Sequence, residues 1–231
     1  MNVEDIQEEF SDLVAEKQYF SAWCMLRNKI ILSDSGSQID NRLLFNIISE
    51  MIHWGDITAI SIILGFNLDL NIIIDGKGIF NEIIDAYYHK QDEMAIIALV
   101  EIFRENGLLF DYSVNMGWYP FQWCAARGYS FVLQYFLREG LVSDINIICV
   151  DADIKCTALR LAFDLKEYDC VKILVEYGAN PLVDIVGYKF YNGLYFSDNS
   201  EFMDYLSKVS HGYYARLPKE WSLTRKIRTI S

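Results

Sequence analysis

Apolar residues recur at intervals of three and four along most of the chain, which is the spacing that places them on one face of a helix. The segment CTALRLAFDLKEYDCVKILVEYGANPL, residues 156–182, carries two such faces, one on each side of the polar stretch LKEYD. Each face is short, and the polar stretch interrupts the period between them. The pattern therefore predicts two short helices joined by a tight turn.

A second segment, WYPFQWCAARGYSFVLQYFLREGLVS at residues 118–143, has the same arrangement. When the two segments are aligned, small residues meet small residues and apolar residues meet apolar ones. Pro120 suits a first helical turn, Gly128 interrupts the apolar pattern, and Gly140 follows its end. We therefore predict a break at Gly128 between two antiparallel helices, rather than one long helix.

The same two-helix rhythm extends over the rest of the chain. Further predicted helices lie near 4–16, 18–31, 79–89, 92–105, 199–209 and 218–229, and on both sides of Gly55-Asp56. Gly107 and Gly140, which end successive pairs, are 33 residues apart, whereas Gly140 and Gly178 are 38 apart. A spacing of this length is typical of a repeat architecture. The pattern predicts five helix pairs, followed by a C-terminal helical cap.

These segments resemble the ankyrin repeat, whose pattern is Thr-Pro-Leu-His-x-Ala-Ala-x-x-Gly, then Ile-Val-x-x-Leu-Leu, then Gly-Ala-Asp. The matching positions are Gly117, Pro120, Phe121, Cys124, Ala125 and Gly128 in one copy, and Thr157, Leu159, Ala162 and VKILVEYGAN (171–180) in the other. The departures are Tyr119 for the Thr, Gln122 and Arg160 for the His, and Phe163 and Lys166 for the second Ala and the Gly. Because the Thr and the His help to fix the turn by hydrogen bonds, their loss implies irregular repeats with weaker register.

The resemblance implies an all-α fold, an ankyrin-repeat solenoid of stacked antiparallel helix pairs with short finger turns. It is strongest over residues 115–182 and extends over about 42–182. One helix pair cannot bury its apolar face alone, so neighbouring pairs stack and share a core. We predict a single ankyrin-like domain over 1–231, with an N-terminal capping pair at 1–40, repeats at 41–182, and a C-terminal cap and basic tail at 183–231.

Charge narrows the range of partners. The formal net charge is −12, and residues 1–16 hold six acids and no base, whereas residues 216–228 hold five bases and one acid. Such a chain lacks the broad basic face that binds nucleic acid, and it would attract a basic protein. No apolar run approaches the roughly 20 residues that span a bilayer, and the acidic N-terminus does not resemble a secretory signal. We therefore expect neither a nucleic-acid nor a membrane partner, and a cytoplasmic location.

Candidate chemistry is sparse. The five cysteines are odd in number, and a chain of this length does not need disulfide staples, so reduced thiols are expected. Cys149 and Cys156 are seven residues apart without a nearby histidine, which does not predict a metal site. Cys124 occupies a position where the repeat needs a small buried residue, so we interpret it as core rather than as a nucleophile. We expect no enzyme activity and no cofactor, metal or small-molecule ligand.

The resemblance also implies where a partner binds, because proteins of this family usually bind through the concave face and the finger turns. By that correspondence the partner-binding residues are Asn115, Met116, Trp118, Arg127, Asp153, Ile154 and Asp164. An exposed Trp118 with Met116 and Arg127 nearby has the composition of an interface hot spot. In the alternative interpretation, the Trp118 ring folds onto the neighbouring repeat.

The resulting hypothesis is a non-enzymatic protein-binding module. Its small size and acidic charge favour a stoichiometric inhibitor, such as a bacterial toxin-immunity protein or a phage or viral inhibitor. The alternative is an adaptor or scaffold of a virus or intracellular pathogen that recruits a host protein, with the basic tail LPKEWSLTRKIRTIS as its candidate recruiting segment. The fold alone does not choose between these functions.

Overall fold

The structure, a computed structural model, describes residues 3–31, 41–66, 69–88, 92–110, 118–150 and 155–180. Within these residues it contains ten helices and one two-residue antiparallel ladder. The helices are α1 (Val3–Ala15), α2 (Tyr19–Ile31), α3 (Asn41–Trp54), α4 (Ile57–Leu64), α5 (Ile79–Tyr87), α6 (Glu93–Glu105), α7 (Pro120–Arg127), α8 (Ser130–Arg138), α9 (Ala158–Asp164) and α10 (Tyr168–Glu176). The ladder joins β1 (Cys149–Val150) to β2 (Lys155–Cys156).

The all-α prediction is confirmed, and the helix positions follow the sequence pattern closely. Pro120 is the first residue of α7, and only Gly128 and Tyr129 separate α7 from α8. The stretch 118–143 therefore holds two helices rather than one. The helices predicted near 199–209 and 218–229, with the C-terminal cap that they would form, lie outside the described residues.

The chain divides into two compact units, Met1–Asn115 and Met116–Ser231. The first unit contains α1 to α6, and the second contains α7 to α10 with the β1–β2 ladder. Each unit has its own set of packed helices. A single domain over 1–231 stays a prediction.

In the first unit, the helices pack as three successive pairs, α1 with α2, α3 with α4, and α5 with α6. Helix α3 also packs against both α1 and α5, and α2 packs against α4, so neighbouring pairs contact each other. Its apolar stripe is fully buried, since Ile47, Ile48, Met51 and Ile52 are each at most 1% exposed. These positions recur at the spacing of one helical face, which is the pattern expected of a helix covered on that face.

In the second unit, α7 pairs with α8 and α9 pairs with α10. Helix α7 also packs against α9, and α8 packs against α10, so equivalent helices of the two pairs contact each other. Each of the four helices contributes to the core, with Phe121, Phe136, Leu159 and Leu174 all buried. Each pair thereby buries, against the other pair, an apolar face that it could not bury alone.

One hydrogen bond recurs at the described turns between paired helices. A residue just beyond the helix is left-handed, and the N–H of the next residue donates to the carbonyl five residues back, as in the Schellman motif. The left-handed residues are Lys17, Gly55, Gly128 and Lys166. The bonds run from Gln18 to Leu13 (2.8 Å), Asp56 to Met51 (3.1 Å), Tyr129 to Cys124 (3.0 Å) and Glu167 to Ala162 (2.8 Å).

Lys166 occupies in the α9–α10 turn the position that Gly128 occupies in the α7–α8 turn. Its φ is 66°, close to the 74° of Gly128. A left-handed conformation costs an ordinary L-residue roughly 1–2 kcal/mol, because its Cβ approaches the carbonyl oxygen. The backbone therefore keeps the conformation that glycine favours although the glycine is absent, and Lys166 stores strain that the bond from Glu167 to Ala162 offsets.

Replacing Lys166 by glycine should relieve this strain. We expect Lys166→Gly to raise the free energy of unfolding by about 0.5–1 kcal/mol, since relief of the strain is partly offset by the greater freedom of glycine in the unfolded chain. Urea denaturation of the full-length chain, followed by circular dichroism, measures the change. Lys166→Ala keeps the Cβ and is the matched control, expected within about 0.5 kcal/mol of wild type. Equal effects of the two substitutions would contradict the assignment of strain.

Candidate functional site

The sequence-predicted partner-binding residues that the structure describes belong to α7, α9 and the residues beside them. Trp118 precedes α7 by two residues, Arg127 is the last residue of α7, and Asp164 is the last residue of α9. The structure brings Trp118 and Arg127 together through a shared neighbour, whereas Asp164 is engaged in a separate ion pair. The other four predicted residues, Asn115, Met116, Asp153 and Ile154, lie outside the described residues.

Trp118 is buried, with 8% of its surface exposed. Its ring packs with Leu161 of α9 and with two partly buried residues of α7, Trp123 and Ala126. The expectation of an exposed Trp118 is therefore wrong, because the packing of α9 against α7 places Leu161 against the indole. The alternative interpretation, in which the ring folds onto the neighbouring helix pair, agrees with this contact.

Trp123 links Trp118 to Arg127. The Trp118 and Trp123 ring centroids are 4.8 Å apart with an interplanar angle of 45°. The guanidinium carbon of Arg127 lies 5.7 Å from the centroid of the Trp123 ring, which is cation–π distance. Trp123 and Arg127 are partly exposed, so part of this Trp–Arg cluster (Trp118, Trp123 and Arg127) is accessible. The i, i+4 spacing of Trp123 and Arg127 on α7 could have indicated this contact from the sequence.

The two indoles of the Trp–Arg cluster carry buried N–H groups. The Nε1 atoms of Trp118 and Trp123 are both inaccessible to solvent, and neither has a hydrogen-bond acceptor in the part of the chain that the structure describes. A buried donor without an acceptor costs roughly 1–3 kcal/mol, and native proteins contain few of them. The free chain therefore tolerates two such donors next to each other and next to a cation.

Asp164 forms a buried ion pair within α9. Its carboxylate accepts a hydrogen bond from Nε of Arg160 at 2.7 Å, and the two side chains are only 7% and 1% exposed. Arg160 stands where the ankyrin pattern has a histidine. The Asp164 carboxylate is directed to Arg160 rather than to solvent. It therefore balances the charge of a buried guanidinium.

Removing the Asp164 carboxylate should destabilise the folded chain. We expect Asp164→Ala to lower the free energy of unfolding by about 3–5 kcal/mol, because the guanidinium of Arg160 stays buried while its carboxylate is lost. The matched control is Asp169→Ala on α10, where an exposed carboxylate pairs with Lys172 at 2.9 Å. This control should change the free energy by less than about 1 kcal/mol. Equal effects, measured by urea denaturation, would show that burial of the pair is unimportant.

Gln122 connects α7 to the loop that precedes β1. It is fully buried; its Oε1 accepts from the backbone N–H of Tyr119 at 2.9 Å, and its Nε2 donates to the carbonyl of Ile147 at 2.9 Å. One side chain thus satisfies a donor at the start of α7 and an acceptor in the loop. Sequence reasoning identified Gln122 only as a departure from the histidine of the ankyrin pattern. The structure shows that the amide makes hydrogen bonds which hold the turn and the loop together.

An apolar residue at this position should loosen the loop. We expect Gln122→Leu to lower the free energy of unfolding by about 2–4 kcal/mol, because a buried N–H and a buried carbonyl both lose their partners. Gln134→Leu, at an exposed position of α8, is the matched control and should stay within about 0.5 kcal/mol of wild type. Faster hydrogen exchange near Ile147 in Gln122→Leu alone would locate the effect, and unchanged exchange there would contradict it.

The first unit contains a separate concavity lined by α1 and α3. Its volume is about 470 Å³, and its lining residues are Gln7, Glu8, Ser11, Asp12, Glu50 and Trp54. Glu50 accepts hydrogen bonds from Oγ of Ser11 at 2.7 Å and from Nε2 of Gln7 at 3.3 Å, which orients its carboxylate. Three carboxylates and a half-exposed tryptophan make this groove acidic and partly aromatic.

Among the residues that the structure describes, no group of three or more His, Cys, Asp or Glu side chains is arranged to hold a metal ion. None of the helices in the described ranges is both long enough and apolar enough to span a bilayer.

No protein-family model matches this chain, and no curated protein matches it either. The roles of the residues above therefore rest on their geometry, and the resemblance to the ankyrin repeat rests on the sequence positions that carry it.

Proposed function

We propose that this chain is a non-enzymatic protein-binding module built as an ankyrin-type solenoid. The packing of equivalent helices supports the architecture, since α7 contacts α9 and α8 contacts α10, while α3 contacts both α1 and α5. The repeated left-handed turn at Lys17, Gly55, Gly128 and Lys166 gives further support, because a repeat fold needs the same chain reversal in each unit.

The observation that carries the proposal is the pair of buried indole N–H groups in the Trp–Arg cluster. Tryptophan and arginine are, with tyrosine, the residues enriched at binding hot spots. Nε1 of Trp118 and Nε1 of Trp123 have no acceptor within the described residues, so the free chain bears a desolvation cost. A partner that opens the cluster and supplies backbone carbonyls would remove this cost on binding. The partner therefore contacts the α7–α9 side of the second unit.

The charge of the chain supports a basic partner. Its formal net charge is −12, and the α1–α3 groove of the first unit presents Glu8, Asp12 and Glu50. Opposite charges on two proteins accelerate their association, and added salt reduces this acceleration. Within the proposed class, a stoichiometric inhibitor of a basic protein fits best, such as a toxin-immunity protein or a phage or viral inhibitor.

Two arginines allow a matched test. Immobilised full-length chain would recover the partner from extracts of the native cell, and calorimetry would then compare variants. We expect Arg127→Glu to weaken binding at least about tenfold, which is roughly 1.4 kcal/mol, because it places a like charge beside the interface. Trp118→Ala is less suitable, since loss of a buried ring also destabilises the fold.

Arg138→Glu is the control for this experiment. Arg138 ends α8 as Arg127 ends α7, and its guanidinium carbon also lies 5.7 Å from an aromatic centroid, that of Tyr135. Both variants change the net charge equally, so long-range steering is the same in each. Equal loss of affinity in the two variants would contradict binding at the Trp–Arg cluster. Association rates that do not change with salt would contradict the proposed electrostatic attraction of a basic partner.

A further inference from the structure

The two-residue ladder places two cysteines opposite each other. Strands β1 and β2 are antiparallel, and their register pairs Cys149 with Cys156 and Val150 with Lys155. In an antiparallel ladder, directly opposite residues share one face and their Cα atoms are about 4.5–5.5 Å apart. Disulfides join cysteines whose Cα atoms are about 4.4–6.8 Å apart. The register therefore meets the distance requirement of a disulfide.

We propose that Cys149 and Cys156 form a dithiol site that a small disulfide, such as oxidised glutathione, converts reversibly to an intramolecular disulfide. The thiolate of one cysteine attacks oxidised glutathione, which forms a mixed disulfide and releases one glutathione thiolate. The thiolate of the other cysteine attacks the protein sulfur of that mixed disulfide and releases the second glutathione. The protein thiols lose two electrons and two protons, and oxidised glutathione takes them up to become two molecules of reduced glutathione.

Cys124 and Cys170 are the competing pair. They lie on α7 and α10, both are at most 1% exposed, and Sγ of Cys170 is 4.0 Å from the carbonyl oxygen of Cys124. Thiol–disulfide exchange requires a thiolate that the reagent can reach, and burial in an apolar core opposes both thiolate formation and access. Core packing should therefore slow oxidation at these two residues. In a reducing compartment we still expect reduced cysteines. Under oxidising conditions we expect Cys149 and Cys156 to form a disulfide.

A disulfide at this position would close the hairpin covalently. Strand β1 begins two residues after Ile147, whose carbonyl accepts a hydrogen bond from Gln122. Oxidation would therefore add a covalent restraint next to the loop that Gln122 holds. Formation of the disulfide does not depend on the proposed function.

Redox titration of the full-length chain tests the site without a partner. The chain is equilibrated at graded ratios of reduced and oxidised glutathione, quenched with acid, alkylated, unfolded and digested with trypsin. Trypsin cleaves after Lys155, so Cys149 and Cys156 fall on different peptides that stay together only when the disulfide is present. We expect this cross-linked peptide to appear at a lower proportion of oxidised glutathione than any other cross-link, and to disappear on reduction.

Single serine variants provide the controls. In Cys149→Ser and in Cys156→Ser, the cross-link should be lost, and the remaining cysteine should keep a glutathione adduct because no second thiol resolves it. Cys24→Ser should leave the cross-link unchanged. A Cys124–Cys170 peptide that forms first, or glutathione adducts that persist on both Cys149 and Cys156 of the wild-type chain, would overturn the proposal. The wild-type result decides the question even if a variant folds poorly, and it does not depend on whether any partner is found.

Discussion

The structure depends on one recurring hydrogen bond, the bond that ends a helix over a left-handed residue. A helix leaves its last carbonyls without N–H partners, and buried carbonyls must find donors. Tyr129 and Glu167 each donate this bond and also hold the N-cap position of the following helix. One residue thus ends a helix and begins the next. The paired helices are therefore joined closely enough to pack against each other along their apolar faces.

A second constraint is the polar residue buried in the first turn of α5, α7 and α9. Asn81, Gln122 and Arg160 hold the third position of these helices, and all are buried. Asn81 accepts from the N–H of Gly78 at 3.0 Å, much as Gln122 accepts from Tyr119, while the side chain of Arg160 bonds to Asp164. Asn81 and Gln122 therefore each satisfy the backbone N–H that precedes their helix, whereas Arg160 pairs within α9 and the hydroxyl of Thr157 caps that helix.

The helices could be predicted from the sequence because their apolar period and glycine breaks are local features. Lys166 shows the limit of such reasoning, since the surrounding turn imposes a left-handed conformation for which lysine has no preference. Trp118 shows another limit, because its burial depends on Leu161, which is distant along the chain. The pairing of Cys149 with Cys156 likewise needs the hairpin register, which a seven-residue spacing does not provide. Local patterns predicted the elements, whereas the site depends on contacts between them.

The hydrogen bond that ends each helix determines where the chain can change in length. Gly140 and Gly178 are 38 residues apart, whereas Gly107 and Gly140 are 33 apart, and the additional residues fall in the connection 141–156. Since α8 is completed by its own bond from Leu141 to Phe136, that connection can lengthen without shifting the helix before it. We therefore expect length changes in this connection to cost little free energy of unfolding where they spare the carbonyl of Ile147, which Gln122 binds. The loop can then vary in length while the helix ends on either side of it stay closed.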